Sequence, residues 1–512
     1  MPNRKNRGKI KKRMISIIAL VLVAFLTITS VFCYIAAAFA EEADLPRDQY
    51  TLQMEFLPEQ QALHIQQRLV FHNRTNQSMD SVEFFLAPNI FRREDAIFYE
   101  SSDMDRIFPA GYTPGGIEFS SITVNGAATT WAMVGETEIY LRVYAPLEPG
   151  ESCEFAFTYM LLLTENRAFT GACETDWRLS AFYPAACVYD AEAAEFLRTS
   201  PLSYTHWLYT QAADYSVSIT LPDEYLLACT GTETSSSNAD GTTSWIVRAE
   251  NAVEFSMAFS KRWRLRETTT DSGITLHIYA NNRSGAKRAE TIAKDTVAQL
   301  EAWFGRFPTD SIDIVQSDYA LESQSFPGVV WLSSDLMDSH QWERMAHVLR
   351  FSIAQQYFGL AARGEPVTDA WLSDAVCEYL AYLLLEQADG HSALLKRMRR
   401  DVLPSLNVTI PGNLYITSDA SLFANSAKEY QIVVKNRGAA VLHQLRQAMG
   451  LEEMLLGLRN FYEMRNSKDI LTELDFVQAL NQADGGSWEA FLTDWIFNLD
   501  EYTQYTKDWF VE

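Results

Sequence analysis

Asp374 and Glu378 stand four residues apart in DAWLSDAVCEYLAYLLLEQA, and His347 precedes them in WERMAHVLRFSIAQQYFGLAA. Carboxylates at i and i+4 share one face of a helix. With an imidazole from a neighbouring helix they would make a nitrogen–oxygen donor set of the kind that holds zinc. His347, Asp374 and Glu378 are thus a conceivable metal set, although an ordinary packed or solvated histidine is the simpler reading of His347. Glu343 and His347 share their helix face with Phe351 and Gln355. Cys377 has no histidine near it in sequence and reads as a buried structural thiol. HExxH, GxSxG, P-loop and GxGxxG motifs are all absent.

The elements that must position these residues change character along the chain. Between about 48 and 260, YTLQMEFL, ALHIQQRLVFHN, SVEFFLA, EIYLRVYA, SCEFAFTYML, YSVSITLP and TSWIVRAE alternate apolar and polar residues, which predicts half-buried, mostly antiparallel strands. From about 273, GITLHIYAN and SIDIVQSD predict strands flanking a helix over Ala286 to Phe304, and PGVVWLSS predicts another strand. Beyond Trp342 the period is helical: one long helix over 342–362, a second that Thr368 or Asp369 would cap, and others over 425–449, 451–465, 472–482 and 487–497.

Charge excludes one class of function and suggests a location. The chain has 42 basic and 66 acidic residues, a formal charge of −24. Seven of the basic ones lie in residues 1–40 with no acid among them, leaving 35 against 66 in the remainder, a net of −31. Such a body repels phosphate backbones, which argues against nucleic acid as a partner. Behind the basic segment 1–13, Met14 to Ala40 runs 27 residues without a charge. As a helix it reaches about 40 Å, enough to cross a hydrocarbon layer of ~30 Å. The expectation is a single-pass anchor with its start inside and the body extracytoplasmic; cleavage after Ala38-Phe39-Ala40 would make the body secreted. The six cysteines show no CxxC spacing, which excludes a zinc ribbon. A Cys173–Cys187 bridge is conceivable, and free buried thiols are the simpler reading. Asn73-Arg74-Thr75 and Asn407-Val408-Thr409 match glycosylation sequons.

From Tyr50 to Trp495 the order of segments resembles the membrane alanyl aminopeptidase family, zinc gluzincins with a saddle-like β domain before a thermolysin-like catalytic domain. VEFFLAPNIFR, WFGRFPTDSIDIV and SFPGVVWLSS carry the resemblance, and above all FSIAQQYFG followed by WLSDAVCEYL, in the frame of the family's HELAHQWFG and WLNEGFAEYL. The resemblance implies a β saddle or sandwich domain over 45–265, a thermolysin-like α+β domain over 270–400 and a helical C-terminal part over 401–512. It places the family's zinc ligands at Phe351, Gln355 and Asp374, and its general base at Ser352. The glutamate that binds the substrate's amino terminus falls at Ser325, with Glu322 nearby. The transition-state tyrosine falls at Lys435, with Tyr430 close by.

Phenylalanine has no lone pair to give a metal, glutamine offers only a neutral amide oxygen, and serine is no base near neutral pH. Neither metal ligands nor catalytic residues are therefore expected, nor any cofactor, although the family uses zinc. Phe351 would fill the space left by the metal. Tyr357 and Tyr379 could line a peptide groove, with core packing the simpler reading. The expected function is a membrane-anchored, extracytoplasmic pseudo-peptidase that binds a peptide or protein partner. The alternatives are an active metallo-aminopeptidase with displaced ligands (His347, Asp374, Glu378) and a structural subunit of an envelope or transporter complex.

Overall fold

Alternation along the early strands becomes burial on one side: in Asp48–Leu57, Tyr50, Leu52 and Met54 point into a core while Gln49, Gln53 and Glu55 face water. The computed structural model describes residues 46–497 apart from 136, 207, 411, 424 and 425. Asp48–Leu57 lies centrally in an eight-stranded sheet, paired antiparallel with Ala62–His72 and parallel with Ala213–Pro222. Every other pairing in that sheet is antiparallel, as are those of two four-stranded sheets, one containing Met79–Phe85 and Tyr140–Leu147, the other Trp177–Ser180 and Ser256–Ser260. The chain thus has a β-rich N-terminal part. The sequon match at Asn73 is a buried turn, the amide donating to the Gln77 carbonyl at 2.8 Å.

The β part is joined to a five-stranded sheet by buried charge. Arg178 and Asp176, both without solvent exposure, pair at 2.5 Å, and Asp176 also accepts from the Ser317 hydroxyl at 2.5 Å and the Asp318 amide at 3.3 Å. Ser317 ends Ser311–Ser317, which pairs parallel with Thr275–Ala280 and Val329–Ser333. The short strand Ser323–Phe326 closes one edge, antiparallel to Val329–Ser333. Helix Arg283–Phe304 packs on this sheet, capped by the Asn282 side chain on the Gly285 amide.

Helices make up most of the C-terminal part. Trp342–Tyr357 and Ala370–Asp389 pack against each other, followed by His391–Asp401, Gly438–Met449, Leu451–Glu463, Glu473–Asp484 and Glu489–Phe497. The first of these ends five residues before the predicted limit, because Phe358 is extended and Gly359 has φ 124°. Asp369 is the N-cap of the second, without a side-chain bond to the helix. Tyr357 and Tyr379 are fully buried core residues, and Cys153, Cys173, Cys187, Cys229 and Cys377 are free thiols.

The expected membrane anchor needs correction. Among the described residues no helix is long and apolar enough to cross a membrane. Ala370–Asp389 has the length, but it carries Asp374, Glu378, Glu386 and Asp389 and is packed inside the protein. Met14–Ala40, on which the expectation rested, lies outside the described residues, as do Cys33 and the basic segment. The membrane partner and the single-pass location are withdrawn.

Candidate functional site

Two helices and an edge strand converge on one cleft. The 342–357 helix turns into the 370–389 helix through Phe358, whose carbonyl accepts from the Ser373 hydroxyl at 3.0 Å and the Cys377 thiol at 3.1 Å. Gly359 permits this close approach: besides its positive φ, a Cβ there would lie 2.2 Å from Ser373 Oγ. Gly359→Ala is expected to cost about 2 kcal/mol or more, read as a lowered denaturation midpoint; an unchanged midpoint would show that the turn can relax. On its other side the first helix is tied to strand Ser323–Phe326. Ser352 donates to Ser323 Oγ at 2.9 Å, Ser325 donates to the Ser352 carbonyl at 3.3 Å, and Gln356 bridges the Phe326 carbonyl and the Gly328 amide.

The cleft has a volume of about 220 Å³, with Ser203–His206 of the β part on one wall and the two helices and the edge strand opposite. Phe351, Gln355, Asp374, Ser325 and Lys435 all line it, as do His347 and Glu378. Ser352 does not; it is fully buried and bonded to the strand.

At its centre Asp374 is engaged at both oxygens. Gln355 Nε2 donates to Oδ1 at 3.2 Å, and the Tyr430 hydroxyl donates to Oδ2 at 2.8 Å. Lys435 Nζ lies 4.0 Å from the same Oδ2 and 4.4 Å from the centre of the Phe351 ring, an ion pair and a cation–π contact made by one ammonium. Burial, then the Asp374 charge, holds the Tyr430 phenol well above its ordinary value, so it remains a donor. Tyr430 and Lys435, the two candidates for one family position, therefore both reach the cleft.

The second polar group is His347 with Glu378, both buried, Nε2 to Oε1 at 2.8 Å. Burial alone would raise the Glu378 carboxyl, but the charge and hydrogen bond of His347, with Lys435 and Arg344 further away, bring it down to about 2. Glu322 is clamped by Arg344 at the rim. The conceivable set of His347, Asp374 and Glu378 is thus split between two separate networks. Among the described residues no three His, Cys, Asp or Glu side chains stand where they could hold one metal ion. Zinc does not fit this donor set: Phe351 and Gln355 cannot replace imidazoles, and Asp374 has given both oxygens to protein donors.

Two residues escaped the sequence reading, His206 in the cleft wall and Glu254 next to it. Glu254 is buried with Oε1 unpartnered, 3.5 Å from His206 Nε2. Burial pushes its carboxyl up to about 8, against the pull of Arg363; burial, then Arg363, lowers His206 to about 4. Both are neutral at pH 7, so the contact is not an ion pair there. A signal was available, since Glu254 is the lone acid in the apolar run NAVEFSMAF.

No family model matches the chain, and no curated protein matches it. Among solved structures it is similar to a glutamate-to-alanine mutant of the M1 zinc metallopeptidase from Deinococcus radiodurans, at 14% sequence identity and a TM-score of 0.61. The match covers 88% of this chain and 94% of that one. The fold is aminopeptidase-like. At this identity the likeness extends to the fold alone, and the chemistry rests on the side chains present here.

Proposed function

We propose that this aminopeptidase-like protein is a pseudo-peptidase, whose cleft binds a peptide or protein segment without zinc and without hydrolysis. In this reading the described residues up to 265 form the saddle-like part, 270–400 the thermolysin-like part and those from 401 to 497 its helical extension. The reading rests on the surroundings of Asp374: its oxygens are taken up by an amide and a phenol, with an ammonium 4.0 Å away. Ser352, at the base position, is sealed from the cleft and has no basic form near neutral pH.

What remains suits an extended chain. Ser323, Gln324 and Ser325 lie on the edge of their sheet and also line the cleft, so a peptide can add there as a further strand. The cleft's volume is below the ~300–1,000 Å³ of small-molecule sites, which fits one or two side chains of a longer segment. Its charges are paired within the protein, Arg344 with Glu322, His347 with Glu378 and Lys435 with Asp374, leaving little to select a free amino terminus.

The deciding measurement is zinc content of the full chain by elemental mass spectrometry after incubation with zinc and desalting, alongside an alanyl-substrate assay. We expect far less than one zinc per chain and no turnover. Stoichiometric zinc, or hydrolysis abolished by His347→Ala, would overturn this reading in favour of displaced ligands.

A further inference from the structure

A second, larger cavity of about 710 Å³ lies away from the cleft, between the 242–252 strand of the β part and the loops that follow the 342–357 and 451–463 helices. Its wall includes Arg363, which is 8% exposed. One guanidinium nitrogen, Nη1, donates to the Thr210 carbonyl at 2.7 Å, and the group lies 6.0 Å from the Tyr209 ring centre. No carboxylate among the described residues pairs with it. Elsewhere in the protein the buried guanidinium of Arg178 has Asp176 at 2.5 Å. A buried cation without a counter-ion is costly, and the other guanidinium nitrogens of Arg363 make no hydrogen bond to the described residues.

The other charges in this wall are mostly committed. Arg47 pairs with Asp214, Lys468 with Asp475, and Asp310 with Arg306; Arg465 stacks on Tyr462. Arg248 has no ion pair among the described residues and is exposed at the cavity mouth. Glu250 and Asp469 are the acids that share this space, and both are exposed to water, unlike Arg363. Burial lowers the Arg363 guanidinium from its ordinary value, with Tyr209 and Asp469 opposing; an added anion would act in their direction. Glu254, further inside, does not supply that charge, because burial keeps it protonated at neutral pH.

We propose that this cavity is a binding site for a ligand bearing a carboxylate or phosphate oxyanion, received by Arg363 at its wall and Arg248 at its mouth. A planar fork with free donors meets such an oxyanion through paired charge-assisted hydrogen bonds, which a lysine could not do. The site is independent of the cleft and of any conclusion about zinc.

The test is isothermal titration of the full chain with inorganic phosphate and, separately, with malonate, in low-salt buffer. One-to-one binding of either anion is expected, and the preferred one tells phosphate from carboxylate recognition. Arg363→Gln should weaken it at least ten-fold. Arg248→Gln, a change at an exposed position, should weaken it several-fold. Arg68→Gln, which removes an exposed charge on the eight-stranded sheet, should leave it unchanged. Failure of both anions to bind at millimolar concentration would overturn the proposal, and so would binding that Arg248→Gln leaves intact.

Discussion

Replacing His347 with alanine is expected to destabilise the protein by about 3 kcal/mol and to lower its melting temperature by several degrees. The imidazole is the main reason that Glu378, at 7% side-chain exposure, can remain charged. Removing it leaves a buried carboxylate whose desolvation is no longer offset, and also abolishes the ring contact with Tyr382, centroids 5.0 Å apart. The sign with pH follows. In the wild type the Glu378 carboxyl is depressed to about 2, so its stabilisation is present above the unfolded value near 4.5 and is lost as pH falls toward 2. In His347→Ala the unpaired carboxyl titrates higher and gains from acid. The difference between the two proteins should therefore be largest at neutral pH and shrink below pH 4.5. A second change, Glu378→Gln, should recover part of the loss by removing the orphaned charge. A loss under 1 kcal/mol that does not vary with pH would mean the pair is not ionic.

Glu254→Gln should act in the opposite sense and stabilise the protein, by on the order of 4 kcal/mol at pH 8. Glu254 is 1% exposed and its carboxyl is raised to about 8. Below the unfolded value near 4.5 both states hold the proton and nothing is lost. Above it the unfolded chain releases a proton that the folded protein keeps, so stability falls as pH rises to about 8. His206, lowered to about 4, loses stability in the other direction as pH falls below 6.5. The two slopes oppose each other in mildly acidic solution, and only that of Glu254 remains between pH 6.5 and 8. The wild type should lose about 2 kcal/mol across that interval; the glutamine variant should be nearly flat there and match the wild type at pH 5. Denaturant titrations at pH 5, 6.5 and 8 decide it, and parallel curves would mean that Glu254 is ionised in the folded state.

What the sequence revealed, and what it hid, follows from how much each segment is surrounded. Half-buried strands advertise themselves: Asp48–Leu57, Ala62–His72 and Ser152–Leu162 each lie within a residue or two of their alternating run. The stretch from Thr164 to Leu208 was opaque, because strands such as Trp177–Ser180 are buried on every residue and have no polar face to mark a period. The helix pattern over 425–449 likewise ran through a break. It is a short α-helical turn, then a wider π-helical stretch over Gln431–Arg437, then Gly438–Met449, and hydrophobic spacing does not record which carbonyl each amide selects.

At the cleft, the frame shared by FSIAQQYFG and WLSDAVCEYL identified residues that do converge, Phe351, Gln355 and Asp374 among them. The partners each one chose were not legible. That Glu378 takes His347, or that Lys435 sits over Phe351, depends on the crossing of two helices and on a third element some sixty residues further along. The anchor expected at Met14–Ala40 came from the length of its uncharged run and the charges flanking it, and the described residues offer no spanning helix to support it.

The ammonium of Lys435 differs from a metal ion in one practical respect. Its charge, 4.0 Å from Asp374, is part of the covalent chain. A chelator cannot strip it, a competing ion cannot exchange for it, and scarcity of trace metals cannot empty it. Whatever the cleft holds, this cationic group is fixed in place at translation and needs no ion to be acquired afterwards.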